Sequence, residues 1–183
     1  MRQILSGQIL LIICFIFYLI WWYRGYRPGM MVSRVQGINS LLLALTAGFG
    51  VSGIVVSVMG AGSAGGMLKV NPAHILIAGI AAFILLLLVT RYVFSREVTS
   101  ELLLIVVWTM LEIWVIDALN GIGSLSDMHF GVLAVMLAAV FVVSIILYVA
   151  YYRMEEMKAF YTAMVPLVAA DLFMMILIGM TVL

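Results

Sequence analysis

The chain has 183 residues, 67% of them hydrophobic and 9% charged, with a net charge of +1. A soluble domain is about half apolar and a quarter charged. A mean hydropathy of +1.30 therefore excludes an ordinary water-soluble core, and the near-neutral balance leaves no basic patch for nucleic acid.

Cys14 is the only cysteine, which excludes an internal disulfide, a thiolate metal cluster and a CxxC redox centre. A spanning helix takes about 20 apolar residues, and six runs reach that length: 4–23, 35–59, 74–94, 101–119, 130–152 and 159–183. The predicted fold is all-α. It is a polytopic integral membrane protein, a single transmembrane domain over residues 1–183, with six transmembrane helices arranged as three hairpins. No connecting loop is long enough to hold a soluble domain.

The first run ends in Trp21, Trp22, Tyr23 and Arg24. Its basic residues follow the apolar stretch and no small-residue cleavage site comes after it, so it reads as a retained helix rather than a signal peptide. In the second run Ala44, Gly48 and Ser52 recur every four residues, and Gly53 and Ser57 continue on a neighbouring face. Small residues at that spacing predict close approach of another helix. The GAGSAGG that follows reads as a flexible loop without the Lys-Ser/Thr of a phosphate-binding loop. Asn71-Pro72 then opens the third helix, with Asn as N-cap and Pro at the first helical position.

Orientation comes from the basic residues. Arg24, Arg27, Arg34, Arg91, Arg96, Arg153 and Lys158 flank the first, third and fifth loops, against Arg2 and Lys69 on the other side. The positive-inside rule places the odd loops in the cytoplasm and both termini outside it, in a plasma membrane of bacterial type. Glu97 and Glu112 are fifteen residues apart, as are Glu156 and Asp171; repeated hairpins would produce that spacing, and so would coincidence among so few acids.

The fourth run carries the chemistry. Counted from Glu101, Glu112 lies about 16 Å into the helix, and Asp171, counted from Ala159, lies about 18 Å into the sixth. A carboxylate at a helix centre costs about 2.5–3.5 kcal/mol. No lysine or arginine lies at that depth, so the acids must be protonated, share water or a cation, or meet charge from another subunit. Glu112 and Asp171 are thus the expected proton- or cation-handling pair, facing each other or a common cavity. Asp117, Trp108 and Glu101 are secondary candidates. Trp108 shares the Glu112 face and could offer its ring to a cation, whereas Trp114 does not share that face. Glu101 lies three turns before Glu112, but an acid in a first helical turn is also favoured by the helix dipole. Asp117 is expected at the outer interface. Pro166 removes a backbone hydrogen bond five residues before Asp171 and could kink the sixth helix.

His74, Asp127 and His129 lie near the starts of the third and fifth helices, a weak set for a metal without ligand spacing. No metal and no cofactor is expected: haem would need facing histidines in the membrane, and retinal a lysine within a helix. Neither HExxH nor GxSxG occurs, so the reading is not of an enzyme. The expected function is a small membrane transporter or channel-like protein moving a small solute or cation, with proton coupling through the carboxylate pair as one form of it. The alternative is a non-catalytic integral membrane subunit of a larger complex. The expected partners are the lipid bilayer and a small solute or cation, with homo-oligomers and other membrane subunits left open.

Overall fold

The computed structural model describes residues 1–28, 37–64, 68–94 and 99–182. The helices are α1 (Arg2–Tyr26), α2 (Gly37–Gly62), α3 (Pro72–Leu88), α4 (Ser100–Gly121), α5 (Asp127–Ala150) and α6 (Glu156–Val182). A π-helical turn, Val89–Val93, prolongs α3, and a 3-10 turn, Tyr151–Arg153, follows α5. With that prolongation all six are long and apolar enough to cross a membrane, and no strand occurs among the described residues. The protein is an all-α, six-helix membrane protein. Arg34, Arg96 and Glu97 lie outside the described residues.

Local signals set several helix ends. Asn71 caps α3, its side-chain oxygen accepting from the Ala73 N–H at 2.9 Å ahead of Pro72. Ser126 does the same for α5, accepting from His129 N–H at 3.2 Å. Gly123, at φ +75°, supplies the left-handed residue in the turn between α4 and α5.

α1 and α2 run antiparallel at very close range. A Cβ built on Gly7 would lie 2.2 Å from the Ser57 hydroxyl and 2.6 Å from the Ser57 backbone nitrogen. One on Gly53 or on Gly60 would lie 2.8 Å from the side chains of Leu11 and Ile4 respectively, and one on Gly50 3.0 Å from the Cys14 sulfur. Each helix thus presents a small residue wherever the other presents a larger one, with spacings that alternate between three and four. The Cys14 thiol donates to the Thr46 carbonyl at 3.2 Å, and Phe17 stacks on Phe49 at 5.6 Å.

This seam contains the expected Gly53 and Ser57 and corrects the rest of the expected set. Ala44, Gly48 and Ser52 are exposed, and nothing approaches within 4 Å of where a Gly48 Cβ would be. A strict four-residue repeat drifts around a helix of 3.6 residues per turn, whereas alternating threes and fours return to one seam. Gly60, Ala61 and Gly62 were expected in a loop. They continue α2 instead, because Gly60 and Ala61 are buried where the start of α1 packs.

Helices α1, α2, α4, α5 and α6 contact one another in that cyclic order, and α3 packs on α4, where the Met110 side chain fills the space over Gly79. Half of the apolar window of α4 is buried, against 11% for α2 and for α3. The core therefore forms around α4, joining Leu111, Val115, Ile116 and Leu119 to Leu133 and Leu137 of α5 and to Phe173, Met174 and Leu177 of α6. On α3, Leu76, Ile77, Ile80, Ile84, Leu85 and Leu88 are exposed. Such a surface would aggregate in water and is ordinary in lipid. Both termini lie at one end of the bundle, called here the terminal end. The opposite, basic end carries Arg24, Arg27 and Arg153, and there Trp22 of α1 stacks on Phe160 of α6 at 6.4 Å.

Candidate functional site

Glu112 is fully buried in the second half of α4. The side chain it meets is Gln8 of α1, itself fully buried and close enough to the carboxyl to interact with it electrostatically. The two are not in hydrogen-bond geometry: both Glu112 oxygens and both polar atoms of Gln8 lack a hydrogen-bond partner. Ser57 of α2, buried against Gly7, is in the same layer, and its hydroxyl also lacks a partner. Three helices therefore bring an acid, an amide and a hydroxyl to one buried layer. A buried polar group without a partner is costly, and this layer gathers several of them: both Glu112 oxygens, both polar atoms of Gln8 and the Ser57 hydroxyl.

Asp171 of α6 is also buried, and one of its oxygens lacks a partner. Its neighbour on α1 is the Cys14 sulfur, which lies within electrostatic reach. Gln8 and Cys14 are about 9 Å apart along α1 at the ordinary helical rise. The two acids thus face the same helix at successive levels, each with its own α1 neighbour. Pro166 sits inside α6, which continues past it as one helix from Glu156 to Val182.

The secondary candidates separate. Trp108 packs edge-on against Phe173 of α6, with ring centroids 5.8 Å apart, which gives its ring a role in the core. Asp117 lies about one turn before the end of α4, inside the protein. It is 1% exposed, and one oxygen accepts from the Val70 N–H at 3.2 Å, pinning the segment before α3 to α4. Glu101 is exposed at the basic end and accepts from the Thr99 hydroxyl. Beside it, burial first and then the Glu101 carboxylate and Tyr26 hold the Tyr151 phenol above its ordinary value.

No protein-family model, curated protein or solved structure matches this chain.

At the terminal end the acids are engaged. Asp127 pairs with Lys69 at 2.6 Å and accepts from the Asn120 amide at 3.2 Å; the same amide donates to the Leu125 carbonyl at 3.0 Å. His74 and His129 are exposed, and no group of three or more His, Cys, Asp or Glu side chains assembles among the described residues. Two cavities mark the ends of the bundle. One, of about 360 Å³, is lined at the basic end by Trp22, Tyr26, Tyr151, Glu156 and Phe160 among others. The other, of about 320 Å³, lies between the start of α1 and the end of α2, against Arg2, Gln3, Ser6, Val56 and Met59. Neither is lined by Glu112 or Asp171.

Gln8 and Ser57 are the residues that a search for charge passes over. Gln8 carried a signal nonetheless, since it is a long amide inside an otherwise apolar stretch, and such a group is expensive in lipid unless it has a use. Ser57 appeared only as a small packing residue, because its position beside Gly7 depends on the register of α1 against α2.

Proposed function

We propose that this protein moves a small solute or cation across a membrane, with Glu112 as the charge-handling group and Asp171 as a second acid along the same route. The observation that carries this reading is the complete burial of Glu112 midway along a spanning helix without a counter-charge. The salt bridges among the described residues, Lys69–Asp127 and Lys158–Glu155, are near the two ends of the bundle. Ionisable groups placed inside a membrane are expensive, and they mark ion or substrate pathways. The excess of arginine at one end favours that end in the cytoplasm and both termini outside, in a plasma membrane of bacterial type.

Purified protein in liposomes tests this directly. Uptake of small cations and neutral solutes is measured in wild type, Glu112→Gln and Asp171→Asn. Loss of uptake with Glu112→Gln, in a variant that still folds, supports the assignment; unchanged uptake in both variants removes it.

A second reading is favoured by one specific observation. The Ala44–Gly48–Ser52 face of α2 is exposed, and small residues of that kind let a further helix approach. On this reading the protein is an integral subunit of a larger membrane assembly. A protein that is monodisperse and active alone in liposomes rules that out.

A further inference from the structure

We propose that the species exchanged at Glu112 is a proton, and that Gln8 is the positioning residue that holds the carboxyl in either protonation state. This rests on the transport reading above and names the ion at the same site.

The first argument is a count of ligands. A hard metal cation asks for about six oxygen ligands. The polar side chains placed in this layer bring two oxygens from Glu112, one from Gln8 and the Ser57 hydroxyl, fewer than that number. Backbone carbonyls cannot make up the number, because α1, α2 and α4 are unbroken helices at residues 8, 57 and 112, so the carbonyls there serve their own helices. A proton needs no such shell. It needs one oxygen to sit on and one partner to point at.

The second argument is the chemistry of that partner. An amide carries both a carbonyl acceptor and an NH2 donor. Protonated Glu112 can donate its O–H to the Gln8 carbonyl, and ionised Glu112 can accept from the Gln8 NH2 after a turn of the amide. A lysine or arginine in the same place would hold the acid in its charged form only, and a leucine would hold it in its neutral form only. Gln8 accommodates both. The O–H bond of Glu112 breaks as its proton passes to a water molecule, forming a hydronium ion, and the reverse transfer remakes it; the bonds of Gln8 are unchanged.

The surroundings leave this titration to Glu112. α2 has no charged residue anywhere along its length. On α1 the nearest ionisable side chain in the interior is Cys14, and on α6 it is Asp171, one level away. On α4, Asp117 lies five residues toward the terminal end, with one oxygen accepting from the Val70 N–H and the other without a partner. The ionisable groups of α3 and α5, namely His74, Arg91, Tyr92, Asp127, His129 and Tyr148, occur toward the helix ends.

Infrared difference spectra of the protein in lipid vesicles, taken between acidic and alkaline buffers, test the proposal. The expected result is a carboxylic-acid carbonyl band that titrates, disappears in Glu112→Gln, shifts in frequency in Gln8→Met and is indifferent to Na⁺ and K⁺. Should Glu112→Gln fail to fold, wild-type protein with isotopically labelled glutamate shows whether the buried band belongs to a glutamate. No titrating glutamate band, or displacement of the band by Na⁺ or K⁺ at fixed pH, overturns the proton. An unshifted band in Gln8→Met overturns the role of Gln8. The transport reading fails separately: a titrating band in a protein that carries no solute removes transport and keeps the proton, whereas uptake driven by a Na⁺ gradient and blind to pH does the reverse.

Discussion

The terminal end and the Glu112 layer bury polar groups in opposite ways. Near the terminal end, Asp117, Asn120 and Asp127 each hold a defined partner, and together with Lys69 and Val70 they stitch the segment before α3 to the α4–α5 turn. About a turn and a half further into α4, Glu112, Gln8 and Ser57 converge with no hydrogen bond completed. The first set spends most of its polar capacity in holding the fold, with one oxygen each of Asp117 and Asn120 left without a partner. The second keeps it, and a group that keeps it can pass it to a proton or a ligand. An acid in a membrane helix is informative when its partner has been identified, and ambiguous before then.

That contrast can be broken in order of expected effect. Gly7→Val should have the largest consequence, since the new side chain would meet the Ser57 backbone, which cannot swing away. Overpacking of this kind costs about 1–3 kcal/mol or more, and size-exclusion chromatography in detergent should show loss of the folded species. Gly79→Ala is the milder control, because there the obstructing atoms belong to the flexible Met110 side chain. Next, Glu112→Gln should reduce uptake to background while the melting temperature holds or rises, because it removes an acid whose oxygens had no partner. If the variant unfolds and a refolded fraction transports normally, the acid was part of the scaffold.

Asp117→Ala should behave in the opposite manner. It removes the acceptor for the Val70 N–H and should lower stability by about 1 kcal/mol, with uptake per folded molecule unchanged. A thermal melt and a liposome assay on the same preparation decide it. Smallest of all, Lys69→Met should leave both readouts unmoved, since its pair with Asp127 is largely exposed and such pairs contribute little. A marked loss of uptake in Lys69→Met would place function at the terminal end and erase the distinction.

Much of the architecture was legible without coordinates because lipid imposes a simple rule. Backbone groups must be satisfied within the segment, so a long apolar run can be little other than a helix. The start of α3 at Asn71-Pro72 followed from local chemistry. Relative rotation of the helices did not. In a helix that is hydrophobic on every side, no apolar stripe says which face turns inward. That is why Gly53 and Ser57 of α2 lie on the seam while Ala44, Gly48 and Ser52, equally small, face outward. Gln8 escaped notice for a related reason: it matters through the helix opposite, and only the register of α1 against α4 reveals that Glu112 is its neighbour.

The interlocked seam of α1 and α2 has a mechanical consequence. With Ile4 over Gly60, Gly7 against Ser57, Leu11 over Gly53 and Cys14 over Gly50, sliding one helix by a turn would drive bulky side chains onto residues that leave them no room. The pair is a single rigid lever that carries Gln8 and Ser57 with it. A swing of this lever away from α4 would part the molecule through the polar layer itself, where Gln8 meets Glu112.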